Sequence, residues 1–291
     1  MRRFEYIEPV TLDEAVALLG EHSGKASLLA GGTDLLVEIK EHLREPDYVI
    51  NIKKIEGLHT LTYNDKDGLI IGSLTTVREV EKSTDVNEKY AGLAQAASAL
   101  GSIQVRNRAT VAGNICRASP SADTLPPLIA DGAAVKLFGR DGERVLLLEE
   151  FFTGPGKTQM AADEILVEIA VPPPSPHTGK AYIKHGRRKA MELATVGVAV
   201  TLTLDSGDIC SDVRIVLGAV APTPIRALKA EAVLRGKVVD ERVIEEAAVR
   251  ARAESRPISD VRSSASYRRE MVYVQSRRAL GLAFNRARGI I

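Results

Sequence analysis

The stretch Leu28-Leu29-Ala30-Gly31-Gly32-Thr33-Asp34-Leu35 runs from an apolar segment through two adjacent glycines into a helical pattern. Ser27–Ala30 reads as a strand, and Leu35, Leu36, Ile39 and Leu43 mark one face of a following helix. Glycine has no Cβ, so its backbone adopts φ > 0 readily and lets a ligand approach closely. Successive N–H groups in such a turn point into one concavity that suits an anion. The helix N-terminus behind the turn adds a positive dipole end. Thr33 and Asp34 are both placed to cap that helix, and Thr33 can also donate to a phosphate oxygen. A plain tight turn before a helix has the same composition, so this stretch alone does not separate turn from site.

A second stretch has the same character. Arg106-Asn107-Arg108-Ala109-Thr110-Val111-Ala112-Gly113-Asn114-Ile115 reads as a loop or strand edge. Its small residues at 109, 112 and 113 permit close backbone approach, with Thr110 and Asn114 as flanking donors. A small-residue turn inside a core is the plainer alternative. Asp123 follows nine residues after Asn114. A carboxylate near a nucleotide accepts from sugar hydroxyls, and a lone aspartate is equally a helix N-cap.

Outward from these stretches, helices and strands alternate. Thr11-Leu12-Asp13-Glu14 is a capping box opening a helix over about 12–20. Tyr48–Ile52 and Leu69–Ile71 are β-rich, and Thr76–Glu81 and Glu88–Leu100 look helical. Asp123–Ala130 reads as a proline-started helix. Ala133–Phe138 and Arg144–Leu148 form a hairpin around Gly139–Gly142, and Ile165–Val171 alternates like a strand. Pro172-Pro173-Pro174-Ser175-Pro176 continues neither helix nor sheet and sets a domain boundary. Beyond it, Lys180–Lys184, Thr195–Leu204 and Ile209–Ala219 are strands, with Gly207 turning between the last two. Helices follow at about 226–235, 240–254 and 264–287. The fold class is therefore α+β. Its second domain is a three-stranded antiparallel sheet with helices on one face.

Composition removes several function classes. The 291 residues carry a net charge of +1, so no bulk field steers the chain to nucleic acid or an anionic membrane. MRRFEYIEPV has no apolar run behind its arginines and is not a signal peptide. No apolar run is long enough to span a bilayer. Cys116 and Cys210 alone build neither a disulfide framework nor an iron–sulfur site, which fits a reducing cytoplasm. The five histidines have no metal spacing. Gly154-Pro155-Gly156-Lys157-Thr158 ends like a phosphate-binding P-loop, but the required first glycine falls at Phe151. No Gly-x-Gly-x-x-Gly follows the first strand, which disfavours a dinucleotide Rossmann domain.

Taken together, certain runs resemble the FAD-binding subunit of the xanthine dehydrogenase/aerobic carbon monoxide dehydrogenase family of molybdenum hydroxylases. They are Ala30–Leu35, Gln104–Asn107 leading to Thr110–Ile115, Phe151–Gly154, Asp163–Leu166 and Ala181–Lys184. The resemblance covers essentially the whole chain. It implies a vanillyl-alcohol-oxidase (PCMH)-type FAD domain over 1–175, with lobes at about 1–55 and 56–175. A carbon monoxide dehydrogenase flavoprotein-like C-terminal domain then covers 176–291. Laid on matching positions, Leu28–Leu35 and Thr110–Ile115 resemble the two loops that share the FAD diphosphate. Asp123 matches an aspartate that hydrogen-bonds the cofactor, and Leu100 a position near the adenine that larger members fill with an aromatic. Leu166 and Lys184 match pocket-lining positions, with Lys184 near the flavin ring unless it is a solvated strand lysine.

The sequence departs from the family's pattern in three places. Ala112 replaces a common glycine, and Leu193 stands where relatives often carry an aromatic beside the isoalloxazine. Cys116 reads as a packing residue or a redox-sensitive thiol. His185 stands next to Lys184. The cysteine-bearing insertion of the benzoyl-CoA-reductase-like branch is absent.

The implied function is electron relay. Electrons from a molybdenum cofactor in a large subunit pass through 2Fe–2S clusters of a small subunit to FAD here, and on to a soluble acceptor. The expected assembly is a dimer of heterotrimers, with no catalytic base, nucleophile or metal in this chain. The rivals are a self-contained flavin enzyme of the same fold, for which no acid–base constellation is found, and a cofactor-free structural subunit. The basic C-terminal run (Arg262, Arg268, Arg269, Arg277, Arg278, Arg286, Arg288) is a solvated helix face or a dock for acidic partner surface.

Overall fold

The structure is a computed structural model that describes residues 2–290. Its first unit is a three-stranded parallel sheet. β1 (Glu5–Ile7) leads to α1 (Leu12–Glu21), β2 (Ala26–Leu29), α2 (Leu35–Lys40) and β3 (Tyr48–Asn51). Strand order is β1-β3-β2, with Leu29 registered on Asn51. The glycine pair therefore leaves the carboxyl edge of a parallel sheet, where open α/β sheets bind ligands. α2 ends at Lys40, and Leu43 lies beyond it, 78% exposed. The expected helical face is thus a turn too long. Ile39 is the buried anchor, and Glu38 O already accepts from Leu43 N.

The second unit runs from β4 (Leu61–Asn64) and β5 (Gly68–Gly72) into six helices: α3 (Val77–Lys82), α4 (Thr84–Lys89), α5 (Ala91–Ala99), α6 (Ile103–Arg106), α7 (Val111–Arg117) and α8 (Leu125–Ala130). The strands β6 (Ala134–Gly139), β7 (Gly142–Leu147), β8 (Phe152–Gly154), β9 (Lys157–Thr158) and β10 (Ile165–Val171) complete it. The main antiparallel sheet has the order β4-β5-β10-β6-β7. β10 is its centre and serves two cores. Leu166, Ile169 and Val171 pack under the helices, whereas Ile165 and Val167 pack with α1 and Ile50.

Glu88–Leu100 is not one helix. It breaks at Tyr90, whose buried hydroxyl donates to Pro172 O at 2.9 Å, so tertiary contact overrides the alanine-rich pattern. The expected loop at Thr110–Ile115 is the start of α7, with Thr110 as its N-cap. The pattern is too short and too small-sided to show helical periodicity.

Residues 172–177 carry no regular structure and lead into the third unit. It comprises β11 (Thr178–His185), β12 (Val196–Leu204), β13 (Cys210–Gly218) and a two-residue β14 (Ile225–Arg226), so four strands replace the expected three. β14 is too short to leave a pattern. The turn near Gly207 (φ +74) and the helices α9 (Leu228–Leu234), α10 (Glu241–Glu254) and α11 (Ala265–Ala287) lie as expected. α11 packs along β11 and β12. The sheet's other face is not solvent-facing: Tyr182, Ala199 and Val216 belong to the core of the second unit.

Candidate cofactor site

The two glycine-bearing stretches meet. A Cβ built on Gly31 would lie 2.2 Å from Arg108 O and 3.0 Å from Ala109 Cα, so only glycine allows this approach of backbone to backbone. Gly32 holds φ +77. Leu28 and Ala30 turn into one core and Leu29 and Leu35 into another, which leaves the backbone between them outward. Among the described residues no acceptor takes the N–H groups of Gly31, Gly32, Thr33 or Asp34. Neither Thr33 nor Asp34 caps α2 with its side chain, contrary to expectation; Asp34 itself is helical (φ −97, ψ −52), which points its carboxylate away from the cap position.

On the facing stretch, Ala109 O accepts from Val77 N at 2.8 Å, which ties the loop to α3. Thr110 Oγ1 accepts from Gly113 N at 2.9 Å, and a Cβ on Gly113 would lie only 2.9 Å from that oxygen. Thr110, Val111, Ala112 and Ile115 are buried, so within 110–115 only Gly113 and Asn114 reach the outside. Asn114 Oδ1 accepts from Thr124 Oγ1 at 2.7 Å. Ala112 is buried, so its methyl group turns into the core and not toward the outer edge of the loop.

Thr124, not Asp123, occupies the N-cap position of α8, so the capping alternative for Asp123 does not hold. Asp123 is buried, with Oδ1 accepting from Tyr182 Oη at 2.8 Å and Oδ2 from Lys184 Nζ at 2.7 Å. Burial raises its pKa above the ordinary value of 3.8, against the opposing pull of Lys184. Burial likewise holds the Tyr182 hydroxyl well above the ordinary tyrosine value. Lys184 is therefore no solvated strand lysine. It also donates to Ala99 O at 3.0 Å, one residue before Leu100. That bond ties Lys184 to the turn after α5 that carries Leu100.

Leu100 is buried at the turn after α5, which Arg106 pins by donating to Leu100 O at 2.9 Å and to Glu81. Leu166 is buried in the core that α7 covers. Cys116 Sγ lies 3.7 Å from Met160 Sδ, and burial pushes its thiol up to about 12, so it packs as a neutral thiol. Leu193 is 56% exposed, on a segment tied back by Met191 N donating to Gly101 O. His185 contacts Tyr267 Oη at 3.1 Å. Among the described residues no group of three or more His, Cys, Asp or Glu is placed to hold a metal ion.

With this geometry in view, two family models match. Residues 2–174 match the FAD binding domain in molybdopterin dehydrogenase, and residues 181–283 match the CO dehydrogenase flavoprotein C-terminal domain. The chain belongs to this family. It is an FAD-binding oxidoreductase subunit of the molybdenum hydroxylase type. The carbon monoxide dehydrogenase medium chain of Hydrogenophaga pseudoflava is 36% identical over 98% of both chains. The xanthine dehydrogenase FAD-binding subunit of Escherichia coli O157:H7 is 32% identical over 98% of this chain and 97% of its own. A solved carbon monoxide dehydrogenase from Hydrogenophaga pseudoflava, lacking the Mo-pyranopterin moiety, superposes with a TM-score of 0.94 over 98% of both chains at 37% identity. Quinoline 2-oxidoreductase from Pseudomonas putida 86 gives 0.91 at 26% identity, again over 98% of both chains.

The residues present fit FAD. N–H groups without an acceptor, beside a glycine that no other residue can replace, have the character a diphosphate cradle requires. What sequence reasoning missed is Tyr182. The available signal was the alternation Lys180, Tyr182, Lys184, which puts three polar side chains on one face of an otherwise apolar strand.

Proposed function

We propose that this chain is the flavin-bearing electron-transfer subunit of a three-subunit molybdenum hydroxylase. In this reading Leu28–Leu35 and Thr110–Ile115 hold the FAD diphosphate, while Leu100, Asp123, Leu166 and Lys184 line the rest of the cofactor. Residues 1–175 form the FAD domain and 176–291 the C-terminal domain. Electrons arrive from 2Fe–2S clusters of a small partner subunit, fed by a large molybdenum-cofactor subunit, and leave to a soluble acceptor in the cytoplasm. Two such heterotrimers pair. FAD supplies the redox chemistry when bound; the chain's own residues orient it and set its surroundings.

The observation that supports this most directly is the Gly31 contact with Arg108 and Ala109, which brings the two distant stretches side by side. The test is flavin content. The purified full chain is expected to retain one FAD, and Gly32→Val, at φ +77, to lose it while keeping its circular dichroism spectrum. Normal flavin stoichiometry in that variant would refute the site assignment. Recovery of the chain from its source as a lone, fully active enzyme would sink the relay reading.

A further inference from the structure

The donor count at Lys184 leaves one N–H over. An ammonium carries three N–H bonds. One goes to Ala99 O at 3.0 Å and one to Asp123 Oδ2 at 2.7 Å, in a side chain only 12% exposed. Asp123 is held from its other oxygen by Tyr182 Oη at 2.8 Å.

Tyr182 is itself fixed from several sides. Its N–H donates to Gln95 Oε1 at 2.9 Å, and Gln95 Oε1 also accepts from Arg286 Nη1 at 3.2 Å. Its ring lies against Gly197 of β12, where a Cβ would sit 2.9 Å from the hydroxyl. Gly197 is registered opposite Lys184, so the glycine that makes room for the tyrosine ring is the lysine's own cross-strand neighbour. Residues from α5, β11, β12 and α11 thus converge on the placement of one ammonium.

We propose that Tyr182 and Asp123 are positioning residues that hold the Lys184 ammonium with its remaining N–H presented to the isoalloxazine ring of bound FAD. This rests on the cofactor reading above. A fixed cation beside the ring favours its electron-rich reduced form over the oxidised form. Asp123 cancels part of that charge and prevents the lysine from swinging to solvent. Tyr182 prevents Asp123 from turning, and acts on the flavin only through Lys184.

The test is the two-electron midpoint potential of FAD in the loaded full chain, measured by dye-coupled titration. Lys184→Met is expected to lower the ratio of reduced to oxidised flavin on the order of tenfold, which is about 30 mV for a two-electron couple. Tyr182→Phe and Gly197→Ala should each lower it by less in the wild-type background. In the Lys184→Met background neither should change it. Gly197→Ala displaces the tyrosine sterically without altering its chemistry, so it reads the same quantity if Tyr182→Phe folds poorly. A Tyr182→Phe shift that persists without Lys184, or an unchanged potential in Lys184→Met or Gly197→Ala, overturns the proposal. A wild-type chain that takes up no FAD would instead refute the underlying cofactor reading.

Discussion

Two lysine–aspartate pairs cross from β11 to the helix α8, and they are built for different ends. Lys184 meets Asp123, just before α8, at 2.7 Å; Lys180 meets Asp131, just after it, at 3.0 Å. Both lysines stand on the same face of one strand, four residues apart. The Lys180 pair is closed. Its ammonium sits 3.9 Å over the Tyr90 ring, and Asp131 Oδ1 also accepts from Thr201 Oγ1 at 2.8 Å. The side chains are 6% and 1% exposed, and Asp131 Oδ2 has no partner. The Lys184 ammonium has two acceptors, Asp123 Oδ2 and Ala99 O, and its pair is more open, at 12% and 6% exposed. Identical chemistry thus forms a closed weld between units in one place and, on the proposal above, a presented charge in the other. On the proposal above, the difference is that the Lys180 ammonium is covered by the Tyr90 ring, whereas Lys184 keeps an N–H for the cofactor.

The largest expected effect separates the pairs by stability. Lys180→Met strands a carboxylate in the seam, and removing one partner of a buried pair costs about 3–5 kcal/mol. Urea denaturation of the full chain should show it as a lower midpoint with an unchanged slope. Lys184→Met should cost less, because its pair is less enclosed (12% and 6% exposed against 6% and 1%), and Asp131 already has one oxygen without a partner. Equal losses would mean that both pairs are structural. Next comes replacement of both partners. Lys180→Met with Asp131→Leu should recover wild-type stability or exceed it, since apolar replacement of a buried ion pair is often neutral or stabilising. Lys184→Met with Asp123→Leu should recover stability but not the flavin potential. A double variant at the seam that also shifted the potential would erase the distinction.

How much of this was legible beforehand follows from the range of each interaction. The helices of the third unit, the hairpin near Gly139–Gly142 and the Gly31-Gly32 turn rest on local periodicity and turn chemistry, and the structure places them where the sequence puts them. α7 escaped notice because Val111–Arg117 buries small side chains and hides its period. The break at Tyr90 and the face of β11 depend on distant partners, Pro172 82 residues from Tyr90 and Asp123 59 residues from Tyr182. No local pattern encodes those. At the site, the two stretches were recognisable one at a time, but their contact through Gly31 was not, because it is set by which sheet edge Arg108 reaches. Lys184 was nameable as a site residue; that its neighbour two positions earlier holds its partner required the register.

The smallest expected effect is a pH dependence, and its sign differs between the pairs. Burial lowers the Lys180 pKa from 10.5, against Asp131, which raises it. Between the lowered value and 10.5 the unfolded chain therefore binds more protons at this group than the folded chain. Stability then rises with pH across that window, and is lost as pH falls through the folded value. Asp123 runs the other way. Its folded pKa lies above 3.8, so between 3.8 and the raised value the folded chain binds more protons. Stability is fully present below 3.8 and falls as pH rises through the folded value. A tenfold change in proton affinity is worth about 1.4 kcal/mol in either case. Unfolding free energies of wild type minus Lys180→Met should thus climb on the alkaline limb. Those of wild type minus Asp123→Asn should decline on the acid limb. Matching signs on the two limbs would show that one pair is misassigned, and the limb with the wrong sign would say which.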